Sequence, residues 1–137
     1  MPRTVGTAEL AVKTRAGATV TDRLRTSGAL RILFPAVPPR LEGIVVNTGG
    51  GLTGGDRLSL SARVGVGGHL TLTTQAAERV YRAASGEARV VSHATVVTGA
   101  HLSWLPQETI LYDGAALSRR VRIDLDADAT LLLAEPV

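Results

Sequence analysis

A two-residue alternation of apolar and polar side chains, broken by small-residue turns, constrains the fold of this chain more than any other feature. Leu58, Leu60, Ala62, Val64 and Val66 alternate with Ser59, Ser61, Arg63 and Gly65. Successive side chains on a strand point to opposite faces, so this segment reads as a half-buried β-strand. Gly67-Gly68 then makes a turn, and Leu70 and Leu72 resume the alternation. Pattern and turn chemistry together predict a hairpin. Val121, Ile123 and Leu125 alternate with Arg122 and Asp124, Asp126-Ala127-Asp128-Ala129 turns, and Leu131 and Leu133 follow. Between these stretches, Arg89-Val90-Val91 leads through Val96-Val97 to a turn at Thr98-Gly99-Ala100, then to Leu102 and Trp104.

These stretches repeat. Gly68-His69-Leu70-Thr71-Leu72 aligns with Ala100-His101-Leu102-Ser103-Trp104 at an offset of 32 residues, and Ala100 aligns with Ala129 at an offset of 29, with Thr130-Leu131-Leu132-Leu133 following. A strand–turn–strand unit recurring near 30 residues cannot bury its apolar face alone, so neighbouring units must supply the core. The expected fold is all-β, with stacked antiparallel strands or hairpins in a β-helix-like arrangement. At most one or two short helices are expected. The 137 residues suit a single domain. Two segments interrupt the pattern. Phe34-Pro35-Ala36-Val37-Pro38-Pro39-Arg40 reads as a loop, because its prolines fix φ and remove ladder donors. Gln75 to Ala84 carries helix-forming residues and reads either as a short helix or as a continued strand with a bulge.

Composition limits the chemistry. With 45% apolar and 20% charged residues the chain is not a disordered one. Phe34, Tyr81, Trp104 and Tyr112 are the only aromatics, so the core must come from Val, Leu, Ile and Ala. There is no cysteine, hence no disulfide and no thiolate to ligate a metal or attack a substrate. The net charge of +3 and the spread of the arginines along the chain argue against nucleic-acid binding. The densest run, Arg119-Arg120-Val121-Arg122, reads as a solvated strand end. Arg3, Glu9, Lys13 and Arg15 interrupt the first 20 residues, and no run approaches the ~18 apolar residues of a membrane span. A soluble cytoplasmic protein without membrane association is expected.

Gly49-Gly50-Gly51-Leu52-Thr53-Gly54 satisfies G-x-G-x-x-G after an apolar strand. A dinucleotide fingerprint also needs a following helix, whose N-terminus meets the pyrophosphate. Here Gly55-Asp56-Arg57-Leu58-Ser59-Leu60 follows, which is strand. The run reads either as a sharp turn between two sheet layers or as a turn presenting Asn47, Thr48, Thr53 and Asp56 around a small cavity. His69, His93 and His101 lack metal-site spacing. Trp104 to Gly114 mixes apolar and acidic residues in a way that suits a smooth strand poorly. Such local conflicts mark functional segments, although a buried Trp with two solvent-facing acids, Glu108 and Asp113, accounts for it too.

Three segments in order, Val46 to Asp56 (VNTGGGLTGGD), Thr73 to Arg82 (TTQAAERVYR) and Leu102 to Gly114 (LSWLPQETILYDG), resemble the urease accessory protein UreD family, also called UreH. Weaker similarity extends upstream through Leu24-Arg25 and Leu33-Phe34-Pro35, and downstream to Leu133-Ala134-Glu135-Pro136-Val137. The resemblance implies a non-enzymatic scaffold with stacked β-structure. It implies binding to the urease apoprotein, to a UreF-like accessory protein and, through that protein, to a UreG-like GTPase. It further implies GTP-dependent nickel insertion into urease, with nickel in transit and no tightly bound cofactor. Family members run longer, so residues 1–137 are expected to be the N-terminal half of a UreD-type domain, with an unpaired strand edge and a tendency to aggregate. Because nickel must be released again, weakly binding oxygen ligands suit the task better than imidazole or thiolate cages. Acids inside the motifs, Asp56, Glu78, Glu108 and Asp113, with Thr53 and Gln75 as polar neighbours, are the candidates to line a metal path or a partner surface. A secreted β-solenoid that binds or processes carbohydrate is the alternative, which the few aromatics disfavour.

Overall fold

The computed structural model describes residues 3–35 and 41–137; the expected proline-rich loop falls, at residues 36–40, outside the described residues. The chain is all-β, as the alternation requires, with twelve strands among the described residues. These are β1 (Val5–Arg15), β2 (Ala18–Gly28), β3 (Leu30–Leu33), β4 (Leu41–Asn47), β5 (Arg57–Val64), β6 (His69–Thr74), β7 (Glu78–Val80), β8 (Ala88–Val96), β9 (His101–Leu105), β10 (Thr109–Leu111), β11 (Leu117–Leu125) and β12 (Thr130–Leu133).

The strands form three sheets. The first has the order β11-β8-β5-β1-β2, the second β12-β9-β6-β4-β3, and the third pairs β10 with β7. From β5 onward the chain visits the first, second and third sheets in turn and then returns to the first, so each circuit lays one rung on the previous one. This is a β-helix-like coil. Its pitch is the sequence repeat. Leu70 pairs with Leu102 and Leu72 with Trp104, an offset of 32, and His101 pairs with Thr130, an offset of 29. The first sheet has the same two steps, Val64 to Val96 and Val96 to Leu125. The turns stack as well, with Gly67 N–H donating to Thr98 O and His101 N–H to Gly68 O.

The register corrects the expected antiparallel hairpins. Only β1–β2 and β3–β4 are antiparallel among the paired strands; every rung-to-rung pair is parallel. Gly67-Gly68 does not join partners. It carries the chain from β5 in the first sheet to β6 in the second, and each strand bonds to neighbours a full circuit away. Alternation dictates which side chains are buried, but it carries no information about which strand lies alongside. The Gln75–Ala84 segment is likewise not a helix. It turns a corner, forms β7 and bridges Arg82 to Ala115. Val80 is fully buried there and bridges Leu52, so packing overrides the helix propensity of the surrounding Ala, Glu and Arg.

Parallel stacking in register puts like residues in columns. Val12, Val64, Val96 and Leu125 form one column inside the first sheet, and Leu41, Leu70, Leu102 and Leu131 form one inside the second. Leu70 and Leu102 are buried, as are Val64 and Val96. Burying such a side chain contributes about 1.5–3 kcal/mol, so the aliphatic columns do the work that aromatics do in other cores. β11 and β12 form one edge of their sheets, opposite β2 and β3, and Leu125 and Leu132 are exposed on them.

The glycine run is the link from β4 in the second sheet to β5 in the first, which is the turn between sheet layers. Gly54 is required by space: a Cβ there would lie 2.1 Å from the Ser85 carbonyl oxygen of the next rung. Gly50, at φ +77, needs glycine for its backbone angle alone.

Candidate functional site

The inner face of the first sheet holds the column Gly6, Leu58, Val90, Arg119. Register therefore gives Arg119 an inward position above two apolar residues. The adjacent column runs Ala8, Leu60, Ser92, Val121. These columns face the corner where the second sheet passes into the third, and a partly enclosed cavity of about 340 Å³ lies between them. Leu58, Leu60, Val90, Ser92 and Arg119 line one side. Val45, Asn47, Thr74 to Arg79, Trp104, Pro106, Gln107 and Thr109 line the other, and Glu135 completes the lining.

Its polar groups are connected. Arg119 Nη2 donates to Thr109 Oγ1 at 2.7 Å, and its Nη1 lies 4.0 Å from Glu135 Oε2. Trp104 Nε1 donates to the other Glu135 oxygen at 2.7 Å. Asn47 Nδ2 donates to Glu78 Oε1 at 3.0 Å. Burial lifts the Glu78 carboxyl above its ordinary range, against the opposing pull of the Asn47 amide and the Arg119 charge. The cavity thus offers two half-buried carboxylates, amide and hydroxyl oxygens, and the Arg119 guanidinium. Such oxygen donors take hard or borderline divalent cations without holding them as imidazole or thiolate sets do. Among the described residues, no group of three or more His, Asp or Glu side chains is arranged to hold a metal ion.

The six residues singled out from the sequence separate into distinct positions. Glu78 and Gln75 line the cavity together. Thr53 and Asp56 lie in the β4–β5 link. Asp56 is buried, and its oxygens accept the backbone N–H groups of Thr4 at 2.9 Å and Thr53 at 2.8 Å, while Thr53 Oγ1 donates to Arg82 O at 3.0 Å. Glu108 and Asp113 have exposed side chains away from the cavity; the Glu108 carbonyl accepts the Glu78 N–H at 3.0 Å. Trp104 is buried, as one reading of that segment requires.

Arg119 and Glu135 are the cavity residues that sequence reasoning missed. Arg120 and Arg122 are exposed, as a solvated strand end requires, whereas Arg119 turns inward. Arg119 shares the odd-numbered parity of Leu117, Val121 and Ile123, the partly buried side of β11, and that parity was the available signal. Glu135 lies beyond the last strand, where no periodicity points to it.

Comparison with known proteins adds a separate line. Residues 4–137 match the family model described as UreD urease accessory protein. The chain is 50% identical over 131 residues to the urease accessory protein UreD of Ruegeria pomeroyi, covering 94% of this chain and 51% of that protein. It is 48% identical over 138 residues to UreD of Ruegeria sp., covering 99% of this chain and 46% of the relative. It is 44% identical over 136 residues to UreD of Brucella suis, covering 98% and 49%. The chain spans about half the length of these curated relatives.

Proposed function

Because the chain belongs to the UreD family of urease accessory proteins, we propose that it is a non-enzymatic scaffold in urease maturation, through which nickel passes as cargo. In this reading it binds the urease apoprotein and a UreF-like accessory protein, and reaches a UreG-like GTPase through the latter. GTP hydrolysis by that partner drives insertion. The cytoplasm, where urease is assembled, is its place of action. No helix of the described residues is long and apolar enough to cross a membrane.

The observation that carries the nickel route is the cavity holding Glu78 and Glu135 beside Arg119. A divalent ion entering it exchanges water for carboxylate and amide oxygens. Burial raises the Glu78 pKa, so proton and metal compete for one carboxylate and release of the ion is coupled to proton uptake. Arg119 repels a cation and pairs with Glu135, which keeps the residence brief. Transfer requires this shallow binding, because a deep site would retain the ion. The carbohydrate alternative draws no support from the family match.

Co-purification tests the scaffold. Tagged chain co-expressed with urease apoprotein and the UreF-like protein is expected to retain both. Retention of neither by folded chain removes the proposal.

A further inference from the structure

The arginines that look dispersed in sequence gather on one surface. Strand alternation and the 32- and 29-residue steps place Arg57, Arg63, Arg89, Arg120 and Arg122 on the outer face of the first sheet, where β2 adds Arg25. All six are exposed. The carboxylates of these strands on the same face are Glu9, opposite Arg25, Asp22, held by Lys13 at 3.2 Å, and Asp124, which is engaged by His93 at 2.8 Å and by Arg122 at 3.4 Å. Arg25, Arg57, Arg63 and Arg120 make no ion pair with a described residue.

Arg57 and Arg89 are direct partners on adjacent parallel strands. Like charges so placed repel, a cost the isolated chain carries without an offset at Arg57. Beside them is a shallow recess lined by Gly55, Gly86 and Ala116, two residues without a side chain and one with only a methyl group. Glu87 holds Arg89 from one side at 3.3 Å, and Arg57 faces the recess with no carboxylate of its own.

From this geometry we infer that the outer face of the first sheet is a docking surface for an acidic protein surface, anchored by a carboxylate side chain seated between Arg57 and Arg89. Arginine is enriched at protein interfaces and pairs with carboxylates in a planar fork. The exposed Val5 and Val91 interrupt the charges with apolar area. The four aromatics are Phe34, Tyr81, Trp104 and Tyr112, none on a strand of this sheet, so it lacks the stacking platforms that single-stranded nucleic acid uses. The inference rests on the scaffold reading in one respect: the urease apoprotein is the partner probed.

The test measures binding of the urease apoprotein to the whole chain, wild type and Arg57→Glu/Arg89→Glu, at two salt concentrations. Glu42→Gln, an exposed position on β4 in the second sheet, serves as an internal control, and a circular dichroism melt confirms folding. Both substituted side chains are exposed, so the fold is expected to survive, and Arg57→Gln/Arg89→Gln provides a milder version. The expected result is at least about a ten-fold loss of affinity for the double Glu variant, a smaller loss for the double Gln variant, and wild-type binding that weakens as salt rises. Equal apoprotein binding by wild type and both double variants overturns the docking surface and leaves the scaffold standing. No apoprotein binding by folded wild-type chain overturns both. A short DNA duplex that binds the wild type more tightly than the apoprotein does, and loses that binding in the variants, reassigns the face to nucleic acid and overturns the inference.

Discussion

Trp104 and Glu135 are joined across the cavity wall by a 2.7 Å hydrogen bond from the indole N–H to a carboxylate oxygen. One group lies on β9 and the other follows β12, so this bond ties the last rung to the one before. Trp104→Phe keeps the apolar ring and removes the donor. It is expected to cost about 1–3 kcal/mol in a denaturant titration, the range for a half-buried charged acceptor losing its partner. In a Glu135→Gln background the same substitution costs less, and the double-mutant cycle measures the difference.

Asp56 holds the β4–β5 link to the N-terminal strand through two backbone N–H groups. Asp56→Ala is expected to lower stability by about 2–4 kcal/mol, since it strands two donors beside a buried site. Urea unfolding midpoints check this. A loss below ~1 kcal/mol shows that the link is held elsewhere.

Two of the five glycines of the same link, Gly50 and Gly54, separate steric from conformational demand. Gly50→Ala meets nothing within 4 Å, so only its positive φ is strained, for about 1 kcal/mol. Gly54→Ala meets the Ser85 carbonyl and must push two rungs apart, so a substantially larger loss is expected. Thermal melts of the two variants rank them.

The raised Glu78 pKa fixes a pH dependence. The folded chain holds this proton more tightly than the unfolded chain does. The stability this gives is fully present below the unfolded pKa and is lost as pH rises through the folded value. Ionisation of this carboxyl therefore costs the folded chain more than the unfolded one. Gln at this position accepts the same Asn47 N–H without charge. Glu78→Gln is expected to melt above wild type at about pH 7, with the gap closing toward about pH 4. A wild type that melts higher at neutral pH contradicts the assignment.

Much of the coil was legible because parallel in-register stacking turns a sequence offset directly into a register. The match of His69-Leu70-Thr71-Leu72 to His101-Leu102-Ser103-Trp104 is the β6–β9 ladder itself. What alternation cannot supply is the partner of each strand, so Gly67-Gly68 has the look of a hairpin turn although it bridges two sheets. The site was legible in part. Glu78 and Gln75 lie in a motif and in the cavity, whereas Asp56 lies in a motif because it holds a loop. Arg119 was hidden by its neighbours: charge density along a chain says nothing about which face each charge takes. The basic outer face was hidden for the same reason, since Arg57 and Arg89 meet only once the 32-residue step is laid out in space.

If nickel reaches urease by way of the Glu78–Glu135 cavity, removing those two charges must starve the enzyme of metal. The direct measurement is the nickel content of urease co-expressed with its accessory proteins, this chain serving as the UreD component, either wild type or Glu78→Gln/Glu135→Gln. Nickel-loaded urease is expected with the wild type. With the double variant at least about a ten-fold fall in nickel per active site is expected, although the variant still co-purifies with the apoprotein. Urease that carries the same nickel with either chain contradicts it.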